Sequence, residues 1–203
     1  MLNIADEKRR LREKIWREME KSGVATFPLP CWSRIPNFVG AETAADKLRQ
    51  LEEWKRAKVI FVNPDSPQRR VRENAPKDGK ILIMASPRLA RGFILLTPEK
   101  VRGKEHFAST IKGAFKFGVQ TRDFPKPDLI VEGSVAVDLR GHRLGKGRGY
   151  GDVEIEILEN RFGEIPVATT VHDMQVVENV PFEERDRKVS IIVTPTRIIR
   201  VVP

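Results

Sequence analysis

Between Arg143 and Asp152 the chain reads Arg-Leu-Gly-Lys-Gly-Arg-Gly-Tyr-Gly-Asp, with glycine at positions 145, 147, 149 and 151. Without Cβ atoms, alternate residues can take positive φ, and successive backbone N–H groups then converge on one anion. Lys146 and Arg148 stand between the glycines and Arg143 precedes them. The chemistry on offer is recognition of phosphate. A helix beginning after the run would add the positive end of its dipole. Asp152 closes the run, and an acid beside phosphates makes sense where a divalent cation sits between them. The spacing matches neither the Walker A pattern, since no Gly-Lys-Ser/Thr follows, nor the dinucleotide fingerprint. On spacing alone, a flexible basic hairpin stands as the alternative to a phosphate nest.

A second group of cations lies near the N-terminus. From Asp6, a plausible N-cap, to about Lys21 the sequence reads as a helix without Pro or Gly. Leu11, Ile15 and Met19 fall within an arc of about 80° on a helical projection. Lys8 and Arg12 fall inside or beside that arc, whereas Arg9, Arg10, Lys14 and Arg17 point elsewhere. Two readings of the inward pair stay open: snorkelling from the border of the apolar stripe, or contact with a buried anion.

The remaining elements must position these groups. Val59–Val62, Ile81–Met84, Phe93–Leu96, Asp128–Val131 and Ser134–Val137 are short apolar runs, with Ile165–Val171 and Ser190–Val193 further on and a hairpin-like close at Arg197–Val202. Continuous apolar runs of this length predict strands covered on both faces. Helical patterns are expected over Ala41–Lys58, Glu105–Lys116 and Val153–Asn160, and the material from Asn63–Pro67, which ends the first strand, up to Ile81 reads as a linker between strands. Alternation of this kind predicts an α/β fold, a three-layer sandwich with a mainly parallel central sheet. Residues 1–203 show no internal repeat or convincing linker and are expected to form one domain.

Composition limits the function. A chain of 203 residues can bury roughly 70% of its unfolded surface without covalent staples. Cys31 is alone, which suits a reducing compartment, and no apolar run reaches the roughly 18 residues of a membrane span. A cytoplasmic protein without membrane association is expected. The net charge of +9 attracts polyanions in general, but the cations are interleaved with acids along the whole chain and aromatics make up 7%. That pattern disfavours RNA as the partner without excluding it. His106, His142 and His172 lack zinc-site spacing.

The run Asp138-Leu139-Arg140-Gly141-His142 followed by Arg143–Asp152 resembles the signature of the 5-formyltetrahydrofolate cyclo-ligase family, the methenyltetrahydrofolate synthetases. Lys8-Arg9-Arg10-Leu11-Arg12 resembles the family's first helix, whose Lys-x-x-x-Arg reaches the nucleotide, and Gln175, Pro181, Asp186 and Thr194 follow the order of its closing segment. The segments Arg34–Ala45, Asn63–Arg72 and Pro87–Leu96 look closer still to the branch of methenyltetrahydrofolate synthetase domain-containing proteins. In animals that branch adds a C-terminal RNA-recognition domain, and no such domain is expected within these 203 residues.

The resemblance implies a fold like that of sugar-phosphate isomerases and CoA transferases, and an ATP- and Mg²⁺-dependent cyclisation of 5-formyltetrahydrofolate or a related pterin. It assigns nucleotide binding to Lys8, Arg12 and the run Arg143, Leu144, Gly145, Lys146, Gly147, Arg148, Gly149, Tyr150 and Gly151. Lys146 and Arg148 would stabilise the transferring phosphoryl group, and Asp152 with Asp186 would hold Mg²⁺. The substrate side departs from the pattern. The family's Glu-x-x-Thr-like element, whose carboxylate contacts the folate, is replaced by Asn63–Val71, where Asp65 is the nearest substitute; Ala85–Leu89 is also altered, and Gly151 stands where a second aromatic is common. A non-catalytic nucleotide- or RNA-binding member of the family, or another enzyme on a similar scaffold, are the alternatives.

Overall fold

A computed structural model of the chain describes residues 3–202. The elements in order are α1 (Ile4–Lys21), α2 (Ala41–Leu48), α3 (Glu52–Arg56), β1 (Val59–Val62), α4 (Arg69–Lys77), β2 (Ile81–Ala85), β3 (Phe93–Leu96), α5 (Pro98–Val101), α6 (Glu105–Ala108), α7 (Ile111–Phe117), β4 (Val119–Thr121), β5 (Leu129–Glu132), β6 (Ala136–Asp138), β7 (Arg143–Leu144), α8 (Tyr150–Phe162), β8 (Val167–Thr170), β9 (Val176–Val177), β10 (Ile191–Val193) and β11 (Ile198–Arg200).

The main sheet has the order β11-β10-β8-β5-β1-β2-β3-β4. From β10 through β2 every pairing is parallel, while β11, β3 and β4 join antiparallel at the edges. Strand β1 shows why its run is apolar at every position. Ile60 and Val62 enter one hydrophobic cluster with Ile15, Met19, Leu48 and Trp54 of the helices. Val59 and Phe61 enter the other, with Ile155 and Leu158 of α8. Both faces are covered, so the period-2 polar alternation of a half-exposed strand is lost. The expected three-layer sandwich with a mainly parallel sheet is the observed architecture. A small sheet, β7-β6-β9, carries the approach to the glycine run.

Several elements differ from the sequence expectation. The cap of α1 is Asn3, whose Oδ1 accepts from the Asp6 N–H at 2.9 Å, so Asp6 lies in the first turn rather than before it. The pattern over Ala41–Lys58 is broken by an extended Leu51, which leaves Leu48, Leu51 and Trp54 all buried. The stretch Glu105–Lys116 forms α6 and α7, split where Thr110 caps α7 by accepting from the Gly113 N–H. A Cβ at Gly113 would fall 1.9 Å from the Phe107 carbonyl oxygen, so the two short helices meet where no side chain fits. The segment read as a linker contains α4, whose polar residues Arg72, Glu73 and Asn74 are buried. Among the described residues no helix is long and apolar enough to cross a membrane.

Candidate active site

Parallel sheets place ligands beyond the carboxyl ends of their strands. Here those ends meet the glycine run. A cavity of about 310 Å³ is lined by Asp65 after β1, Arg88 after β2, Glu132 and Gly133 at the end of β5, and the segment from Gly145 into α8. Within that segment Gly147 has φ +105° and Gly149 has φ +72°, conformations that L side chains rarely adopt. Gly149 is the N-cap of α8 and makes no side-chain cap, so the first N–H groups of this 13-residue helix have no capping side chain. Lys146 and Arg148 line the same space. The arrangement fits a phosphate: a backbone cradle without Cβ atoms, the positive end of a helix, and two cations.

Helix α1 supports the run from outside the cavity. Arg12 Nε donates to the Gly145 carbonyl at 2.7 Å, and a Cβ on Gly147 would come within 3.5 Å of the Arg12 Cζ. Burial lowers the pKa of the Arg12 guanidinium, partly offset by Asp186. Lys8 is buried and bonded to both Asp186 and Glu183, the latter at 2.9 Å. The inward pair seen in the helical projection therefore reaches acids and backbone, Lys8 from a buried and Arg12 from a half-buried position.

A chain of contacts then links α1 to the foot of α8. Asp186 Oδ2 accepts from Lys8 and from the Glu183 N–H, and Lys8 holds its carboxyl below the usual range although burial pushes the other way. One residue on, the Arg187 N–H donates to Asp152 Oδ1 at 3.1 Å. That same oxygen accepts from Arg143 Nη2 at 2.7 Å. Asp152 Oδ2 and Asp186 Oδ1 carry no hydrogen bond among the described residues. Each acid thus keeps one oxygen with which to meet a cation. Among the described residues no three His, Cys, Asp or Glu side chains are grouped to hold a metal by themselves. Mg²⁺ commonly takes one or two carboxylates and completes its shell with phosphate oxygens and water, which suits this donor set.

Not all the residues singled out in the sequence face the cavity. Arg143, Gly145, Lys146, Arg148, Gly149, Tyr150, Gly151 and Asp152 line it. Leu144 packs in the hydrophobic core, and its carbonyl accepts from the Val135 N–H at 2.7 Å. Lys8, Arg12 and Asp186 form the supporting layer described above, and Gly147, which does not line the cavity, lies against Arg12. Asp65 lines the cavity with its Oδ1 2.8 Å from Lys146 Nζ and its Oδ2 accepting from Asn63 Nδ2 at 3.0 Å. The histidines stand apart: His106 contacts Glu73, His142 is buried against Asp138, and His172 caps a short turn.

Two residues that the sequence did not single out lie in the cavity floor. Glu132 is 1% exposed and Glu154 is 3% exposed. Burial, then the nearness of Glu154, raises the Glu132 carboxyl well above the usual carboxylate range. Burial, with Asp65 also facing it, raises Glu154. Arg143, fully enclosed, keeps its charge because Asp152 and Glu132 outweigh the cost of burial. The signal for Glu154 was its position in α8, one residue before Ile155 and four before Leu158, on the face that packs inward.

A model described as the 5-formyltetrahydrofolate cyclo-ligase family matches residues 4–195. The chain is 41% identical over 204 residues to a methenyltetrahydrofolate synthase domain-containing protein of Mus musculus, covering 95% of this chain and 54% of that protein. The chain thus spans about half the length of the animal relatives it matches. It is 27% identical over 169 residues to a probable 5-formyltetrahydrofolate cyclo-ligase of Schizosaccharomyces pombe, covering 74% of this chain and 81% of that one. Among solved structures it resembles the 5,10-methenyltetrahydrofolate synthetase of Aquifex aeolicus with a TM-score of 0.60 at 21% identity, over 97% of this chain and 93% of the other.

Proposed function

The chain belongs to the 5-formyltetrahydrofolate cyclo-ligase family, and from that premise we propose that it carries out the ATP-dependent cyclisation of 5-formyltetrahydrofolate, or a related pterin, to the 5,10-methenyl form. In this reaction the formyl oxygen takes the γ-phosphoryl group of ATP, N10 attacks the activated carbon and loses its proton, and the oxygen departs as phosphate. The observation that carries the reading is the cradle of Gly147 and Gly149 at the start of α8, with Lys146 and Arg148 beside it and Arg12 fastened to the Gly145 carbonyl.

Each residue has a task that follows from its place. The N–H groups at the start of α8, with Lys146 and Arg148, hold the phosphates and stabilise charge on the transferring phosphoryl group. Arg12 fixes the loop, and Lys8 fixes the Asp186 segment against α1. Asp152, which lines the cavity, and Asp186, in the layer beside it, would hold Mg²⁺ through their unbonded oxygens, and the ion would supply neutralising positive charge to the phosphates. Tyr150 lines the cavity, where it would meet the substrate. Cytoplasmic location and a single domain over 1–203 belong to the same reading and rest on composition.

The test is direct. Purified, folded protein given 5-formyltetrahydrofolate and ATP–Mg²⁺ is expected to generate the absorbance of methenyltetrahydrofolate; no turnover would sink the proposed activity. A second reading, a non-catalytic nucleotide- or RNA-binding member of the family, is favoured by the net charge of +9 and by the engagement of Asp65 with Lys146. Salt-sensitive RNA retention without turnover would select it.

A further inference from the structure

The floor of the cavity contains acceptors that the protein does not satisfy. Glu132 Oε1 and Glu154 Oε2 are buried and have no hydrogen-bond donor. Their neighbours are already engaged. Arg143 donates through Nη1 to the Gly133 carbonyl at 3.1 Å and through Nη2 to Asp152 at 2.7 Å. Lys146 is turned to Asp65 at 2.8 Å. Leaving buried carboxyl oxygens without donors is costly, and native proteins rarely do so without a ligand or a function at that place. Both residues line the cavity, so the missing donors can come from what enters it.

Two carboxyl groups on adjoining elements, β5 and α8, ask for a ligand edge with two N–H donors side by side. A single hydroxyl would donate to only one of them, whereas a divalent cation would bridge both, a case that Mn²⁺ binding distinguishes. The 2-amino-4-oxopyrimidine edge of a pterin presents such a pair, the ring N3–H and the exocyclic amino group, in a plane with fixed spacing. We infer that Glu132 and Glu154 are the substrate-recognition residues of this cavity, accepting the paired N–H donors of a pterin's aminopyrimidine edge. The inference rests on the reading that the cavity takes a reduced pterin. It assigns recognition to residues on β5 and α8, and it leaves Asp65 to hold Lys146. The phosphate cradle, at Lys146 and Gly149, lines the same cavity, so a pterin and a nucleotide would meet there.

Full-length protein is titrated with pterin and with lumazine, which carries a carbonyl in place of the 2-amino group, following pteridine fluorescence. Wild type is expected to bind pterin about tenfold or more tightly than lumazine, because lumazine sets an oxygen against a carboxyl group. Glu132→Gln and Glu154→Gln are each expected to weaken pterin and 5-formyltetrahydrofolate by about tenfold to a hundredfold and to shrink the pterin–lumazine difference, while ATP–Mg²⁺ affinity by calorimetry stays within about threefold. Equal affinity for the two pteridines in wild type, or no binding of either, overturns the inference without needing any variant to fold. So does Mn²⁺ binding to wild type alone that is lost in Glu132→Gln, since the pair would then serve a metal. Selective pterin binding without turnover would fail the proposed cyclo-ligase activity and leave this inference standing; turnover without pteridine selectivity would do the reverse.

Discussion

Lys146 and Asp65 meet across the cavity at 2.8 Å although 81 residues separate them in sequence. The pair joins the glycine run to the loop after β1, and each partner is partly exposed, 31% for Lys146 and 20% for Asp65. Ion pairs at that exposure contribute about 0–1 kcal/mol. Lys146→Ala is therefore expected to lower the melting temperature only slightly. Its effect on ATP should be far larger, about tenfold to a hundredfold in affinity by calorimetry, because a charge-assisted phosphate contact is lost. A large fall in stability with unchanged ATP affinity would make Lys146 a strut of the fold and remove it from the phosphate site.

Gly147 separates a nest from a flexible hairpin. Its φ of +105° strains any L residue, and Arg12 Cζ lies 3.5 Å from where a Cβ would be. Gly147→Val is expected to abolish measurable ATP binding at concentrations that saturate wild type, while circular dichroism stays unchanged, because the position is in a loop whose strands and helix do not depend on it. Retained affinity would mean that the backbone N–H groups of this loop do not hold the phosphates.

The places where sequence reading succeeded and failed share a physical cause. The left-handed turn at Gly147 and Gly149 ahead of α8 was legible because glycine at alternate positions has few other uses, and the inward turn of Lys8 and Arg12 was legible because a helix fixes direction by its period. Helix α4 was not legible: Arg69–Lys77 offers only Val71 and Ala75 as buried apolar residues and carries Pro76, and it holds its place by burying Arg72, which donates to the carbonyls of Asn63, Asp65 and Ser109. Such stabilisation is tertiary and leaves no period in the sequence. Glu132 escaped because it ends the apolar run Leu129–Val131, where an acid normally marks the exit to solvent. Glu154 sits in Val153-Glu154-Ile155-Glu156-Ile157, whose alternation imitates a strand with its acids outward, and only the helical period turns it in.

Gly151 occupies a position where a side chain would disturb both charged layers at once. A Cβ there would lie 2.9 Å from Arg143 Nη2 and 3.2 Å from Glu132 Oε2. Its φ is ordinary, so space rather than backbone strain excludes a larger residue. Gly151→Tyr, which restores the aromatic common in the wider family, is expected to push Arg143 away from Asp152 and to cost about 1–3 kcal/mol in denaturant unfolding. ATP–Mg²⁺ affinity should fall with it, because Arg143 holds Asp152 in place. A variant as stable as wild type and equally avid for ATP would show that Arg143 has room to relax.

Asp138 gives the fold an acid-sensitive anchor just ahead of the glycine run. Its side chain is fully buried, and its carboxylate accepts from the N–H groups of Val180 at 3.1 Å, His142 at 3.1 Å and Arg140 at 2.9 Å. Burial alone would raise its pKa, but these bonds, that of Val180 foremost, hold it below the ordinary value. A carboxyl depressed in the folded state stabilises the protein at pH above its unfolded value of about 3.9, and the contribution is lost as pH falls through the folded value below that. Asp138→Asn keeps the size but gives up the charge-assisted bonds, so it is expected to cost about 2–4 kcal/mol in urea unfolding at pH 6. The difference between wild type and variant should narrow steadily below about pH 4. A difference that is constant from pH 6 to pH 3 would mean that the side chain acts by shape rather than by its negative charge.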